Sequence, residues 1–351
     1  MPCARCEITH TEPTGPQTLL LWSPLGHSDG KITRIAAAAG APTRHEAACG
    51  ALAIDVCAGS CPALRDGLTD GLSKIERDAI HVIALERGAL ATLRDIQRLV
   101  SLEQHMNRLR SAWLVRKVAD DALTVSFDPI SYADAPDEIF ASAAVVAALD
   151  EDGRRTSAAE VFHLARDADF LSALDRTARL TAIRGIAKAR IEGPVFVSFA
   201  PSAIYDPRFC LKTTLAEAER CDVTPEAIIF SILSADGGAD VDHLENVLRY
   251  YVENGFKTAM TISARREASF DLLQRLKPSV LIIEAELIEG VRVDPHREVV
   301  ARKLIEIAQR LQIETVVQGV DTVEDCEWAY SQGASYVQGR HVMGVAARVA
   351  S

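Results

Sequence analysis

A chain of 351 residues is too long for one small domain and suits a barrel of about 250 residues preceded by something smaller. With 48% hydrophobic and 25% charged residues the composition is that of an ordinary folded protein, which excludes a disordered or collagen-like chain. A formal net charge of −11 argues against nucleic acid as a direct partner.

The longest apolar runs, such as Ala141 to Leu149, fall short of the roughly 20 residues a membrane span needs. No basic segment leads into an apolar one at the N-terminus, so a cytoplasmic location is expected. The 8 cysteines are too sparse for a disulfide scaffold, and reduced thiols are the default reading. Cys3 and Cys6 form a C-x-x-C pair near His10, and Cys57 and Cys61 form a looser C-x-x-x-C pair. Together these four are candidate zinc ligands; the alternative is small thiols with no metal.

In chain order, Leu19 to Trp22 reads as a strand, Lys31 to Ala39 as a helix and Ala51 to Val56 as a second strand. Ala63 to Leu72 reads as a helix and Ala79 to Leu85 as a third strand, so residues 1–90 are expected to form a small α/β domain of βαβαβ type. From Thr92 to Val118, apolar Leu99, Leu102, Met106, Leu109, Trp113 and Val118 recur at helical spacing. Residues 91–120 are therefore read as a connecting helix, whose stripe either packs on its own barrel or joins two copies in a homodimer.

Beyond this, apolar runs at Leu123–Phe127, Val195–Phe199, Ala227–Ile232, Lys257–Ile262, Val280–Ile283 and Glu314–Val317 read as buried parallel strands. Helices separate most of them. Ser157-x-x-Glu160 starts one with a capping box, and Thr322-x-x-Asp325 starts another that ends near Gly333. Repeated strand–helix units over residues 121–351 predict a (β/α) barrel rather than an open sheet.

The segment Phe127-Asp-Pro-Ile130, preceded by Trp113-Leu114, resembles the entry strand F-Q-P-I of bacterial EAL domains, a family of cyclic-di-GMP phosphodiesterases. The motifs Pro201-Ser-Ala-Ile-Tyr-Asp-Pro207, Cys210-Leu211, Tyr250-Tyr251 and Gly255-Phe256 look like a subgroup of that family with an N-terminal C-x-x-C extension. Glu286-Leu-Ile288, Gln318-Gly-Val320 and Val337-Gln-Gly339 follow in the expected order. The resemblance implies an EAL-type modified TIM barrel.

Hydrolysis of a phosphodiester with two divalent ions needs carboxylate or amide oxygens converging at the C-terminal ends of several strands. Carried onto this chain, the glutamate of E-A-L falls at Ser142 and the following arginine at Val146. The next asparagine falls at Ser198, the next glutamate at Ser231 and the paired aspartates at Thr261 and Ile262. In the strand ending at Glu284 the aspartate falls at Ser279 and the lysine at Ile282, while the glutamate of E-G-V-E falls at Gln318.

Asp128, Glu284, Gln318, Asp321 and Gln338 remain as polar groups, with Arg265 and Arg266 as basic candidates in the altered loop. Serine and threonine hydroxyls are poor magnesium or manganese ligands, so no catalytic metal is expected. The leading expectation is a pseudoenzyme that keeps the barrel as a surface for another protein. A receptor that binds cyclic-di-GMP without cleaving it, using Asp128, Arg265, Arg266, Glu284 and Gln338, is the alternative. The least favoured reading is an active, magnesium- or manganese-dependent phosphodiesterase using Asp128, Glu284 and His163 or His243.

Overall fold

The computed structural model describes residues 15–57, 61–89, 91–232, 240–263 and 270–349. They divide into two compact units, one comprising 15–119 with Phe162–Phe170 and the other Asp120–Val161 with 171–349.

In the first unit, β1 (Gln17–Trp22), α1 (Gly26–Ala38), β2 (Thr43–Glu46), β3 (Ala51–Val56), α2 (Pro62–Gly71), α3 (Lys74–Ala79) and β4 (His81–Glu86) follow one another. With the two-residue β5 (Val100–Ser101) they build one antiparallel sheet in the order β2-β3-β1-β4-β5. This is a βαββαβ arrangement of the ferredoxin-like type.

Leu19, Leu21, Leu52 and Ile54 pack with Ile32, Leu64 and Leu68 of the helices on one face. Leu20, Ala51, Ala53, Ile83 and Leu85 form a second buried cluster on the other. Burial on both faces is why β1 and β3 read as continuous apolar runs instead of alternating ones. The βαβαβ expectation missed β2 because its sequence, Thr-Arg-His-Glu, is that of a partly exposed polar edge strand.

The single connecting helix expected over 91–120 is broken into pieces. A 3₁₀ turn (Leu93–Arg98) leads into β5, then α4 (Leu102–Arg110) and α5 (Ala112–Ala119). Ser101 caps α4 by accepting from Gln104 N at 3.1 Å, and Ser111 ends it by donating its hydroxyl to the Asn107 carbonyl at 2.7 Å. Serine competes with the backbone ladder in this way and so favours helix ends. Leu102 and Met106 join the core of the sheet, whereas Leu99 is exposed.

The second unit holds β6 (Thr124–Tyr132), β7 (Ile139–Leu149), β8 (Arg155–Thr156), α6 (Ala158–Asp167), α7 (Leu171–Ala189), β9 (Val195–Phe199), α8 (Pro207–Cys210) and α9 (Lys212–Arg220), part of α6 belonging to the first unit. It continues with β10 (Ile228–Ile232), α10 (Val241–Glu253), β11 (Lys257–Ile262), α11 (Phe270–Leu276), β12 (Val280–Ile283), α12 (Ala285–Ile288) and α13 (Pro295–Arg310). It ends with β13 (Glu314–Gln318), α14 (Val323–Ser331), β14 (Tyr336–Gln338) and α15 (Arg340–Val349). Strands β6-β14-β13-β12-β11-β10-β9-β7 form a ring that the β6–β7 pairing closes.

One strand departs from the all-parallel expectation. β6 runs antiparallel to both β14 and β7, while the other neighbours are parallel. Residues 133–138, which join β6 to β7, suffice for a hairpin but fall short of the dozen or so that a parallel crossover takes.

Inside the ring, Ile130, Ala141, Phe196, Ile229, Ala259, Val280, Ile282, Val316 and Tyr336 fill the barrel. Their alternates, among them Val197, Phe230, Met260, Ile283 and Val317, form the outer core under the helices. Ser157 Oγ accepts from Glu160 N at 3.3 Å at the head of α6, and Thr322 and Asp325 form the expected capping box on α14.

Gly339 joins β14 to α15 where a Cβ would meet Val320 backbone, 2.6 Å from both its N and its carbonyl carbon. Backbone atoms have nowhere to retreat. Gly339→Ala is therefore expected to destabilise the barrel by about 1–3 kcal/mol, the usual range for overpacking, as read by urea unfolding.

Candidate functional site

Side chains alternate across a strand, so each inner-core residue fixes which of its neighbours face the lumen. Two residues beyond Phe196, Ile229, Ala259, Val316 and Tyr336 stand Ser198, Ser231, Thr261, Gln318 and Gln338, near the C-terminal ends of β9, β10, β11, β13 and β14. On β12, Ile282 belongs to the inner core and Glu284 follows at the strand end as the N-cap residue of α12. On β6, Asp128 shares the face of Ile130. The register brings several of these side by side: Ser198 against Ser231, Thr261 against Ile282, and Gln318 against Gln338. Active sites of such barrels form at this end.

Three expected positions lie elsewhere. Ser142 pairs with Pro129, between the Phe127–Ala144 and Ile130–Ala141 pairs. Phe127 and Ala144 pack in the outer core, whereas Ala141 and Ala143 pack with the inner one, so Ser142 takes the outer parity. Ala143, opposite Asp128, is the lumen-facing residue of β7. A slip of one residue turns every side chain to the other face, and an Ala-rich strand offers little to fix the register by eye. Val146 likewise pairs with Val125 on the outer side, and Ile262 is part of the outer core.

The lumen side chains are largely satisfied by one another. Ser198 and Ser231 share a hydrogen bond of 3.1 Å between their hydroxyls. Thr261 Oγ1 donates to the Ile232 carbonyl at 3.2 Å, and Gln318 Nε2 donates to Gln338 Oε1 at 2.9 Å. Asp128 and Glu284 are half-buried and make no ion pair among the described residues. Asp321, beyond β13, accepts from Arg340 N at 3.0 Å and from Arg340 Nε at 2.9 Å. These contacts, the guanidinium first and the backbone N–H second, hold its carboxyl below the ordinary aspartate range.

Beneath the rim lies a buried network that the sequence reading missed. Asp175 and Arg179, one turn apart on α7, are 1% and 2% exposed and form an ion pair. Asp175 Oδ1 accepts from Ala200 N at 2.8 Å, two residues after Ser198, and Arg179 Nε donates to Thr214 Oγ1 at 3.3 Å. Burial pushes the ionisation of the nearby Tyr251 hydroxyl well above the ordinary phenol range, with the Arg179 charge opposing the shift. The D-x-x-x-R spacing on an otherwise apolar helix face was the available signal.

Arg265, Arg266, Cys3 and Cys6 lie outside the described residues. Cys57 is exposed after β3, and Cys61 is the half-buried residue before α2. No group of three or more His, Cys, Asp or Glu side chains is disposed to hold a metal ion among the described residues. His243 Nε2 sits 3.3 Å from the Pro201 carbonyl, and His163 lies beside Asp167 on α6. No helix among the described residues is long and apolar enough to cross a membrane.

Fold and site together define a (β/α) barrel with a reversed first strand and a mouth of hydroxyls, amides and two carboxylates. A family model described as EAL domain matches residues 107–344, and the chain belongs to that family. It is 29% identical over 114 residues to the probable cyclic di-GMP phosphodiesterase PdeD of Escherichia coli K12. That match covers 32% of this chain and 21% of the relative, so the chain spans about a fifth of that protein's length.

Among solved structures, a standalone EAL protein from Vibrio cholerae O395 in a c-di-GMP-bound form is 26% identical, with a TM-score of 0.55 over 62% of this chain and 89% of that one. The Xanthomonas citri FimX EAL domain, in complex with c-diGMP, gives 18% identity and a TM-score of 0.60 over 69% and 94%, a likeness of fold alone.

Asp175→Ala leaves Arg179 charged and buried and the Ala200 N–H without its acceptor. The expected loss is about 3–5 kcal/mol in urea unfolding, with a smaller loss when Asp175→Leu is combined with Arg179→Met. Equal losses in the two variants would assign the effect to packing instead of charge.

Proposed function

We propose that the barrel is a catalytically silent EAL domain that works in the cytoplasm as a regulatory protein-interaction module of cyclic-di-GMP signalling. The observation that carries this reading is the lumen: Ala143, Ser198, Ser231, Thr261 and Ile282 stand where a two-metal hydrolase needs oxygen ligands and a basic group. Asp128 and Glu284 are the carboxylates left among the described lumen residues, too few to offset two dications. A fold kept without the chemistry grafted on it is consistent with a role in protein contacts.

The purified protein is expected not to hydrolyse cyclic-di-GMP with magnesium or manganese, and calorimetry is expected to find weak or no binding of the dinucleotide. EDTA-sensitive turnover would overturn the first expectation. Sub-micromolar binding lost on changing Arg265 and Arg266 to alanine would turn the reading into that of a receptor. Glu284→Ala and Gln338→Ala are expected to leave complementation in cells intact, whereas charge reversals on exposed helices should break it.

A further inference from the structure

The segment after β9 exposes much of two large aromatic side chains. Tyr205 is 74% exposed and Phe209 is 70% exposed, far beyond the other aromatic residues of the barrel core. Tyr205, Arg208, Phe209 and Lys212 follow at i, i+3, i+4 and i+7, and all four are exposed. Asp206 caps the turn by accepting from Arg208 N at 2.9 Å, and Leu211 keeps helical dihedrals between α8 and α9. Arg208, Phe209 and Lys212 therefore neighbour one another on a continuous helical path, and Tyr205 stands just ahead of it, before the extended N-cap residue Asp206.

That face is cationic. Arg176 of α7 reaches it by donating Nε to Thr213 Oγ1 at 3.4 Å. Arg176, Arg208 and Lys212 make no ion pair among the described residues. Several other surface arginines of the barrel do have acidic partners: Arg275 with Asp242 and Glu245, Arg220 with Glu217, Arg292 with Asp325 and Arg310 with Glu306. Three cations without an ion pair among the described residues thus gather around two exposed aromatics on a chain of net charge −11. The backbone beneath is firmly held, since Ala200 N is anchored on Asp175 and Thr214 on Arg179.

We infer that this face, Tyr205, Arg208, Phe209 and Lys212 with Arg176 at its edge, is a docking site for an acidic segment of a partner protein that presents an apolar anchor between its carboxylates. The inference rests on the reading of the barrel as an interaction module. Aromatic and arginine side chains dominate binding energy where they can be desolvated, and complementary charge sets orientation and on-rate. A short acidic peptide matches the small patch. A nucleic acid or an anionic membrane would bring its whole charged surface against an acidic protein.

The probe is a fluorescein-labelled peptide alternating glutamate and leucine, titrated by anisotropy into the full chain at low salt. Binding is expected to weaken by about ten-fold or more in Tyr205→Ala/Phe209→Ala and in Arg208→Glu/Lys212→Glu, with unchanged melting temperatures because the altered side chains face water. The same peptide with glutamine for glutamate is expected to lose a comparable factor. No binding of the acidic peptide, or affinity indifferent to both double variants, overturns the docking site. So does tighter patch-dependent binding to phosphatidylserine vesicles or a single-stranded oligonucleotide than to the peptide. None of those peptide results touches the module reading itself, which falls instead on metal-dependent hydrolysis of cyclic-di-GMP.

Discussion

The barrel closes through one strand. β6 alone hydrogen-bonds to both β7 and β14, and it does so antiparallel to each. Without it the remaining strands would form an open sheet with two edges and no lumen. Its register with β7 also decides which residues of both strands look inward: Asp128 and Ala143 face the mouth because they pair with one another on the side of Ile130 and Ala141. The shift in pairing between Ile130 and Ser131 leaves Phe140 as an extra residue on β7, where it stacks on Tyr336 at 3.7 Å and seals the lower end. The mouth exists only because of that closure.

Much of this was legible from residues alone. β9, β11 and β12 were read to their observed ends because β-branched and aromatic runs buried on both faces are distinctive. The capping box at Thr322 was visible because its chemistry is local. What escaped was either polar or set by distant contacts. Thr43–Glu46 pairs as an edge strand although no side chain in it advertises one. The direction of β6 is decided by a loop length and a partner two hundred residues away, and the parity of Ser142 by a pairing no local pattern encodes. At the site, Ser198, Ser231, Thr261, Gln318 and Gln338 were found by motif order, whereas the buried Asp175–Arg179 pair drew no attention because each residue taken alone looks like a surface charge.

The buried pair gives the strand ends beside the mouth a rigid support. Asp175 ties α7 to the backbone just past β9, and Arg179 extends the tie to α9 through Thr214. Around it, Phe199, Phe230, Tyr251 and Phe256 pack edge-on and stacked with centroids 4.1 to 6.1 Å apart. Removing such a charge from water is costly, so each polar contact has to be retained together for the arrangement to hold. The same tie carries the segment with Tyr205 and Phe209, which links core polar chemistry to the exposed face.

The mouth is held mainly by neutral pairing. Several carboxylates converging in one cavity repel one another unless dications sit among them, which makes a metal site stable chiefly when loaded. Here the Ser198–Ser231 and Gln318–Gln338 bonds and the Thr261 bond to the Ile232 carbonyl are made between protein groups without an ion. Ile282 adds to the apolar filling where a buried lysine would have needed a counter-charge. A barrel satisfied in this way holds its shape without metal or nucleotide.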